Sequence, residues 1–418
     1  VRTEARTEAA RVDLELTERQ RAFRDEARRW LAAHIPAVPL PSLETAEGFA
    51  AHRAWERTLA EGRWSAVTWP EEYGGRGASL VEWLLFEEEY YAAGAPGRVS
   101  QNGISLLAPT LFAHGTAAQR ARVLPPMARG EVIWAQAWSE PESGSDLASL
   151  RSTARRADGG WLLTGQKTWS SRAAFADRAF GLFRSHREEG APPHRGLTYL
   201  MFPLGAPGVT VRPIGRLDGK PAFAELFLDE VFVPDEDVIG EPGQGWRVAM
   251  STAGNERGLT LRSPGRFTAA ARRLVALWRE RAADRGAGDD AGCDDAGRDD
   301  AGLRDRVADA VIGARAYELF AYASAARPEA GSAGAATGAE SSLNKVFWSE
   351  LDIALHETAL DLLGPVGELA DGAAEAAGDG GWADGYTFAL AGPIYAGTNE
   401  IQRDLIAERL LGLPRERR

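Results

Sequence analysis

Several short stretches of this chain gather residues that can do chemistry. Ser139-Glu-Pro-Glu-Ser-Gly-Ser145 suits a loop that a bound group approaches closely. Its glycine permits the approach, and its small hydroxyls hydrogen-bond without crowding. Gly165-Gln-Lys-Thr-Trp-Ser-Ser171 offers an indole at Trp169 and a hydroxyl at Ser171. Thr398-Asn-Glu400 opens a helix after Gly397, and the free N–H groups of a helix start suit phosphates. Asn255-Glu256-Arg257 supplies a carboxylate able to take a proton. Its neighbours at three and four residues, Thr252, Ala253, Leu259 and Thr260, include no cation, so no in-helix ion pair accounts for it. Plainer readings stand beside these: a Ser/Gly turn, one core tryptophan among 13, a simple Thr cap, and a surface acid or a partner for a distant arginine.

Composition narrows the field. The chain has 418 residues, 44% hydrophobic and 26% charged, which is ordinary for a globular protein with two or three domains. A net charge of -12 argues against a general nucleic-acid binder, which needs a basic face. The one cysteine, Cys293, allows neither an intrachain disulfide nor a CxxC motif. His356-Glu357 lacks the second histidine of the zinc-protease motif, and no metal site is expected. No GxGxxG follows a strand, so a Rossmann site is not expected. With no signal peptide and no apolar run near 18 residues, no membrane contact is expected and the cytoplasm is the default location.

Three blocks must position these residues. Residues 1–12 read as a frayed tail. Thr17-Glu-Arg-Gln20 predicts a capping box, and Phe23, Ala27, Trp30 and Leu31 an amphipathic helix. Further helices are expected over 52–61, 80–93, 103–114 and 117–129, separated by the turn-rich stretch from Trp64 to Gly75. Near Trp134 the period changes. Strands are expected at 161–163, 197–202, 209–211 and 225–233. From Gly245 the chain is helical again, with Pro264-Gly265 expected to kink or interrupt the first helix. Asp289 to Gly302 repeats DDAGC-DDAGR-DDAG and reads as a mobile acidic loop, with Ala330 to Ala339 as another. Helices are expected over 341–363, 382–391 and 398–411. The expected domains are 13–134 (helical), 135–243 (β) and 244–418 (helical, with a flexible acidic loop at 286–302).

Trp134-Ala-Gln-Ala-Trp-Ser-Glu-Pro-Glu-Ser-Gly-Ser-Asp146, Gly165 to Ser171, Val231-Phe-Val-Pro234 and Tyr395-Ala-Gly-Thr-Asn-Glu-Ile-Gln-Arg403 occur in that order across more than two hundred residues. The set resembles the acyl-CoA dehydrogenase family of flavoproteins, from about Leu14 to Pro414. The resemblance implies an α+β fold in which a β-barrel domain sits between an N-terminal helical domain and a C-terminal helical bundle. It also implies FAD, held where barrel and C-terminal helices meet. The implied reaction is α,β-dehydrogenation of an acyl thioester, on CoA or a carrier protein. Electrons would pass to an electron-transfer flavoprotein, and the assembly would be a homodimer or homotetramer.

By the same resemblance, Gln136, Trp138 and Ser139 lie along the flavin ring, and Gly144 and Ser145 at the thioester. The Trp169 indole covers a flavin surface, Ser171 donates toward N5, and Thr398 and Glu400 contact FAD. Gly364 reaches the neighbouring subunit's FAD, although Pro365 and Val366 depart from the family's glycine-rich form. Many members place a Glu base where this chain has Ala396, which cannot take a proton. A backbone N–H there still serves the thioester oxygen. In another branch the base precedes an Arg on the helix after the barrel, which implies Glu256 as base and Arg257 at the substrate. Other flavin chemistry, an oxygenase or oxidase, and a non-catalytic subunit of a hetero-oligomer are the alternatives. Pocket depth turns on how Trp83, Leu84, Leu106 and the Glu256 helix pack.

Overall fold

The structure is a computed structural model and describes residues 15–187, 189–257, 262–286, 296–326, 338–369, 373–376 and 380–415. The first block holds α1 (Glu18–His34), α2 (Ala46–Glu61), α3 (Leu80–Ala92), α4 (Ala108–His114) and α5 (Ala117–Ala128). The capping box at Thr17 is present: its hydroxyl accepts from Gln20 N, and the Gln20 side chain accepts from Thr17 N. Ser79 and Glu82 cap α3 in the same way. Asn102–Leu107 is π-helical and runs straight into α4. Such segments are rare and cluster at functional sites.

The middle block is one eight-stranded sheet. It comprises β1 (Trp134–Ala137), β2 (Thr153–Ala157), β3 (Gly160–Ser171), β4 (Arg178–Arg184), β5 (Leu197–Pro203), β6 (Val209–Ile214), β7 (Phe223–Pro234) and β8 (Val238–Ile239). The order is β6-β7-β3-β2-β4-β5-β8, with β1 paired in parallel to β4. Strands β1, β2, β4 and β8 were not separately expected. β4 is buried almost throughout, so its sequence lacks the alternation that marks a strand with one wet face.

Helices α6 (Gly245–Arg257), α7 (Pro264–Gly286), α8 (Ala296–Ala325), α9 (Gly338–Leu363), α10 (Gly381–Ala389) and α11 (Asn399–Arg409) follow. The helical run is interrupted before Pro264, as one arm of the expectation had it, but Pro264 does not kink a helix. It opens α7, where a missing N–H costs nothing, and the Ser263 hydroxyl caps it by accepting from Gly265 N at 3.1 Å. The acidic loop is shorter than expected, because Ala296 to Gly302 are the first turns of α8. Asp289 to Asp295 lie outside the described residues, as do 327–337 of the second expected loop.

One core joins the blocks. Leu106 and Leu111 from the first, Trp134, Phe180 and Tyr199 from the sheet, and Val248 and Ala253 of α6 pack together, all buried. Burial of this kind contributes about 1.5–3 kcal/mol per large apolar side chain. It fixes α6, and with it Glu256, against both the sheet and the N-terminal helices. Among the described residues, no helix is long and apolar enough to cross a membrane, and no cluster could hold a metal ion.

Candidate functional site

The Ser139–Ser145 loop leaves the end of β1 and is tied to β3, where Thr168 N donates to Ser139 O at 2.9 Å. Beneath it is a buried ion pair. Lys167 is 0% exposed and donates to Glu140 Oε1 at 2.8 Å, to Leu182 O at 2.7 Å and to Trp138 O at 3.3 Å. Glu140 also accepts from the amides of Arg151 at 2.6 Å and Ser152 at 3.0 Å. Burial pulls the Lys167 ammonium down to about 8, against the pull of Glu140. Burial alone would raise Glu140, but Lys167 and the amides outweigh it and hold its carboxyl below the usual range. Both groups are charged at neutral pH. The Lys and Glu inside the two motifs therefore fix the loop onto the sheet, a role the sequence reading did not assign to either.

The geometry of β3 depends on Gly165. Its φ of 147° lies in the region glycine tolerates, and a Cβ would overlap Ser152 Oγ. Register shifts bracket this stretch, between Leu163 and Gly165 and between Lys167 and Ser170. At the second, Trp169 takes a left-handed conformation, with φ 58°, and its indole is 60% exposed. An exposed indole on a strained non-glycine residue costs stability and is a mark of a functional surface. Trp169 meets Phe223 edge-on, and Ser171 is half-buried beside it.

The two halves of Gln136-Ala-Trp-Ser139 face differently. Trp138 is buried, its indole donating to Tyr199 OH at 3.3 Å. Its side chain is thus a packing group rather than a surface one. The Gln136 amide nitrogen is buried and has no hydrogen-bond partner among the described residues. Gly144 and Ser145 are exposed, and a Cβ on Gly144 would meet nothing within 4 Å.

Glu256 comes to this region through Tyr199. The Tyr199 hydroxyl bonds Thr252 Oγ1 at 3.3 Å, and Thr252 bonds Thr110 Oγ1 at 2.7 Å. Thr252 lies one turn before Glu256 on α6, and the Glu256 charge acts on Tyr199. Burial pushes the Tyr199 phenol well up, so it stays protonated and donates. The structure therefore brings Thr252, Tyr199 and Trp138 together from three separate parts of the chain, with Glu256 one turn further along α6. Arg257 ends α6, and its side chain lies outside the described residues.

The C-terminal residues form a second group. Tyr395 accepts at its hydroxyl from Arg262 Nη2 at 2.8 Å. Ala396 (φ 58°) and Gly397 (φ 80°) are both left-handed and turn the chain into α11. Thr398 caps that helix by accepting from Ile401 N at 3.4 Å. Glu400 is exposed, and its own amide and Thr398 hold its carboxyl low. Gly364 stands apart from these. It begins a 3-10 turn after α9 with φ 60°, beside Arg281, which donates to Leu362 O at 2.7 Å and Leu363 O at 2.8 Å. Sheet and C-terminal helices meet where Arg216 bonds Asp384 of α10 at 2.6 Å.

Comparison with known proteins agrees with this architecture. The family model "Acyl-CoA dehydrogenase, N-terminal domain" matches residues 17–131, its middle-domain counterpart 135–231 and its C-terminal-domain counterpart 243–411. The chain belongs to the acyl-CoA dehydrogenase family, whose members are FAD-dependent oxidoreductases acting on CH–CH groups. It is 39% identical over 402 residues to acyl-CoA dehydrogenase IpdE1 of Mycobacterium tuberculosis, covering 94% of this chain and 98% of that one. Among solved structures it is similar to the Tcur3481-Tcur3483 steroid ACAD, with TM-score 0.79 and 26% identity over 97% of this chain and 100% of that one. It is also similar to the ChsE4-ChsE5 complex of Mycobacterium tuberculosis, with TM-score 0.77 and 28% identity over 97% and 100%. The unpartnered Gln136 amide, the exposed Trp169 and the open space at Gly144 fit a bound FAD.

Proposed function

We propose that this chain catalyses the α,β-dehydrogenation of an acyl thioester, giving the 2-enoyl thioester. The observation that carries this reading is the placement of Glu256. Glu256 lies on the helix after the sheet, one turn beyond Thr252, whose hydroxyl is bonded to Tyr199, and Tyr199 accepts from the indole of Trp138, the residue before the Ser139–Ser145 loop. In this reading Glu256 takes the α-proton. The Ala396 main-chain N–H, set by its left-handed turn, donates to the thioester oxygen as negative charge builds there. Ser145 and Arg257 hold the thioester and its carrier. Gln136, Ser139, Gly144, Trp169, Ser171, Thr398 and Glu400 hold FAD, and the buried Lys167–Glu140 pair keeps the loop in place. Bound FAD supplies the acceptor for the β-hydride.

The substrate acyl group is a bulky one in this reading, since a similar solved protein is titled a steroid ACAD. Assembly through the C-terminal helices accompanies it. Ile312, Phe347, Ile394 and Leu411 are exposed apolar residues on this domain, and Gly364 would meet a neighbour's FAD there. The neighbour is a second copy or a related chain, as in the two-subunit complexes the chain resembles. An electron-transfer flavoprotein is the proposed acceptor.

Anaerobic mixing of the FAD-loaded protein with a panel of acyl-CoA and acyl-carrier thioesters tests the reading. Loss of visible flavin absorbance with formation of the enoyl product is expected. No bleaching by any thioester contradicts it. Reoxidation by oxygen faster than by an electron-transfer flavoprotein points instead to an oxidase.

A further inference from the structure

Two cations of the C-terminal domain converge on one turn, on the connection from α10 to α11. The turn carries Ala396 in a left-handed conformation, which an alanine keeps only where its surroundings hold it there. Lys345 of α9 is 0% exposed, and its ammonium bridges the two ends of the turn. It donates to Pro393 O at 3.0 Å and to Asn399 Oδ1 at 2.7 Å. Asn399 N donates to the same Pro393 O at 2.8 Å. Gln402 of α11, also buried, donates to Ala396 O at 3.4 Å. Burying an ammonium is costly, and packing alone would be served as well by a methionine.

Arg262 holds the middle of the turn. It lies on the connection from α6, the Glu256 helix, to α7 and is half-buried. Its guanidinium stands over three rings, 5.3 Å from Trp348, 5.4 Å from Tyr395 and 5.9 Å from Phe388. Its Nη2 donates to the Tyr395 hydroxyl at 2.8 Å. The Tyr317 hydroxyl donates to Arg262 O at 2.8 Å and fixes its main chain. A planar cation stacked among rings and bonded to one of them sets that ring's orientation. The residue before Ala396 is thereby tied to the chain that leaves Glu256.

We propose that Lys345 and Arg262 are positioning residues for the thioester: they hold the Ala396 turn where its N–H is needed, and Arg262 links that place to the Glu256 helix. The inference rests on the reading that the Ala396 N–H serves the thioester oxygen. Both cations act through the turn, and neither is a catalytic residue.

The test reads the FAD-loaded protein in two ways. The first needs no substrate: hydrogen exchange of the main-chain amides over 394–398, followed by mass spectrometry. Tyr395→Phe, Arg262→Met and Lys345→Met should each speed exchange there about tenfold or more, with exchange in β5 unchanged. Arg262→Lys keeps a donor for Tyr395 and should lie between the wild type and Arg262→Met. Tyr395→Phe removes one hydrogen bond and keeps the ring, so it decides the matter if a cation variant fails to fold. The second is anaerobic flavin reduction by the thioester of the panel that bleaches the wild type fastest. The limiting rate should fall about tenfold to a hundredfold, the effect of a small misplacement, while the half-saturating concentration changes less than about threefold. A merely structural role would lower the melting temperature and FAD content without this split. Wild-type exchange over 394–398 in every variant overturns the proposal, and so does faster exchange with an unchanged limiting rate. Faster exchange with no thioester bleaching even the wild type keeps the two cations as holders of the turn and removes the dehydrogenase reading.

Discussion

Replacing Lys167 with Met removes the cation from beneath the Ser139–Ser145 loop and leaves Glu140 buried. The methionine fills much of the space, so the loss is mainly electrostatic. Glu140 keeps the amides of Arg151 and Ser152 but loses its counter-charge, and the carbonyls of Leu182 and Trp138 lose a donor. Breaking a buried pair from one side costs about 3–5 kcal/mol. Replacing both partners, Glu140→Gln with Lys167→Met, should recover much of that cost. Glu140→Gln alone should depend on pH. Without Glu140 to raise it, the Lys167 pKa falls below its present value of about 8. The native state then binds fewer protons than the unfolded chain up to the ordinary lysine range, so stability rises with pH across that window. The single variant should therefore be less impaired at pH 9 than at pH 6. Urea unfolding followed by tryptophan emission, with FAD retained after gel filtration as a second readout, measures all three. A Lys167→Met protein that loses less than about 1 kcal/mol and keeps its FAD would refute the argument.

Three further outcomes are expected. Gly165→Ala should destabilise the sheet by more than the usual point substitution, about 1 kcal/mol, since the new Cβ overlaps Ser152 Oγ; an unchanged melting temperature counts against this. Tyr199→Phe should leave the fold intact but slow flavin reduction, because the link between Trp138 and Thr252 is cut; an unaltered rate means the Glu256 helix is held without it. The FAD-loaded protein should sediment as an assembly of at least two chains, and a stable FAD-loaded monomer would exclude the proposed shared site.

The helix–sheet–helix order was legible because the hydrophobic period changes at Trp134 and again at Gly245. So was the capping box at Thr17, whose residue types leave few other uses. Strand β4 was not, since burial on both faces erases alternation. The π-helical segment at Asn102 was missed because one extra residue per turn leaves no compositional mark. Pro264 was expected to kink or interrupt the helical run, and an interruption does fall before it, but Ser263 makes it the start of α7 rather than a kink. Nothing in the sequence tells Glu87, Glu88 and Glu89 apart, yet α3 gives them different surroundings. Glu89 pairs with Arg24 at 2.6 Å and Arg28 at 2.8 Å, Glu88 accepts from Tyr322 at 2.7 Å, and Glu87 faces a cavity lined by Trp64, Trp69 and Trp83. At the site, Glu256 drew attention in the sequence because no cation stands three or four residues from it and because it precedes Arg257, and its role as base is the proposal made above. The Lys167–Glu140 pair was in plain view in both motifs. Only the fold shows that 27 residues of separation close to 2.8 Å.

The most direct test of the account is the rate of flavin reduction in Glu256→Gln, measured anaerobically with a thioester that bleaches the wild type. Glutamine keeps the size and most hydrogen bonds but cannot take the α-proton. FAD and thioester should bind as before, and reduction should slow by about a hundredfold to ten-thousandfold, the usual worth of a positioned base. Glu256→Gln that reduces its flavin at the wild-type rate would show that the α-proton goes elsewhere.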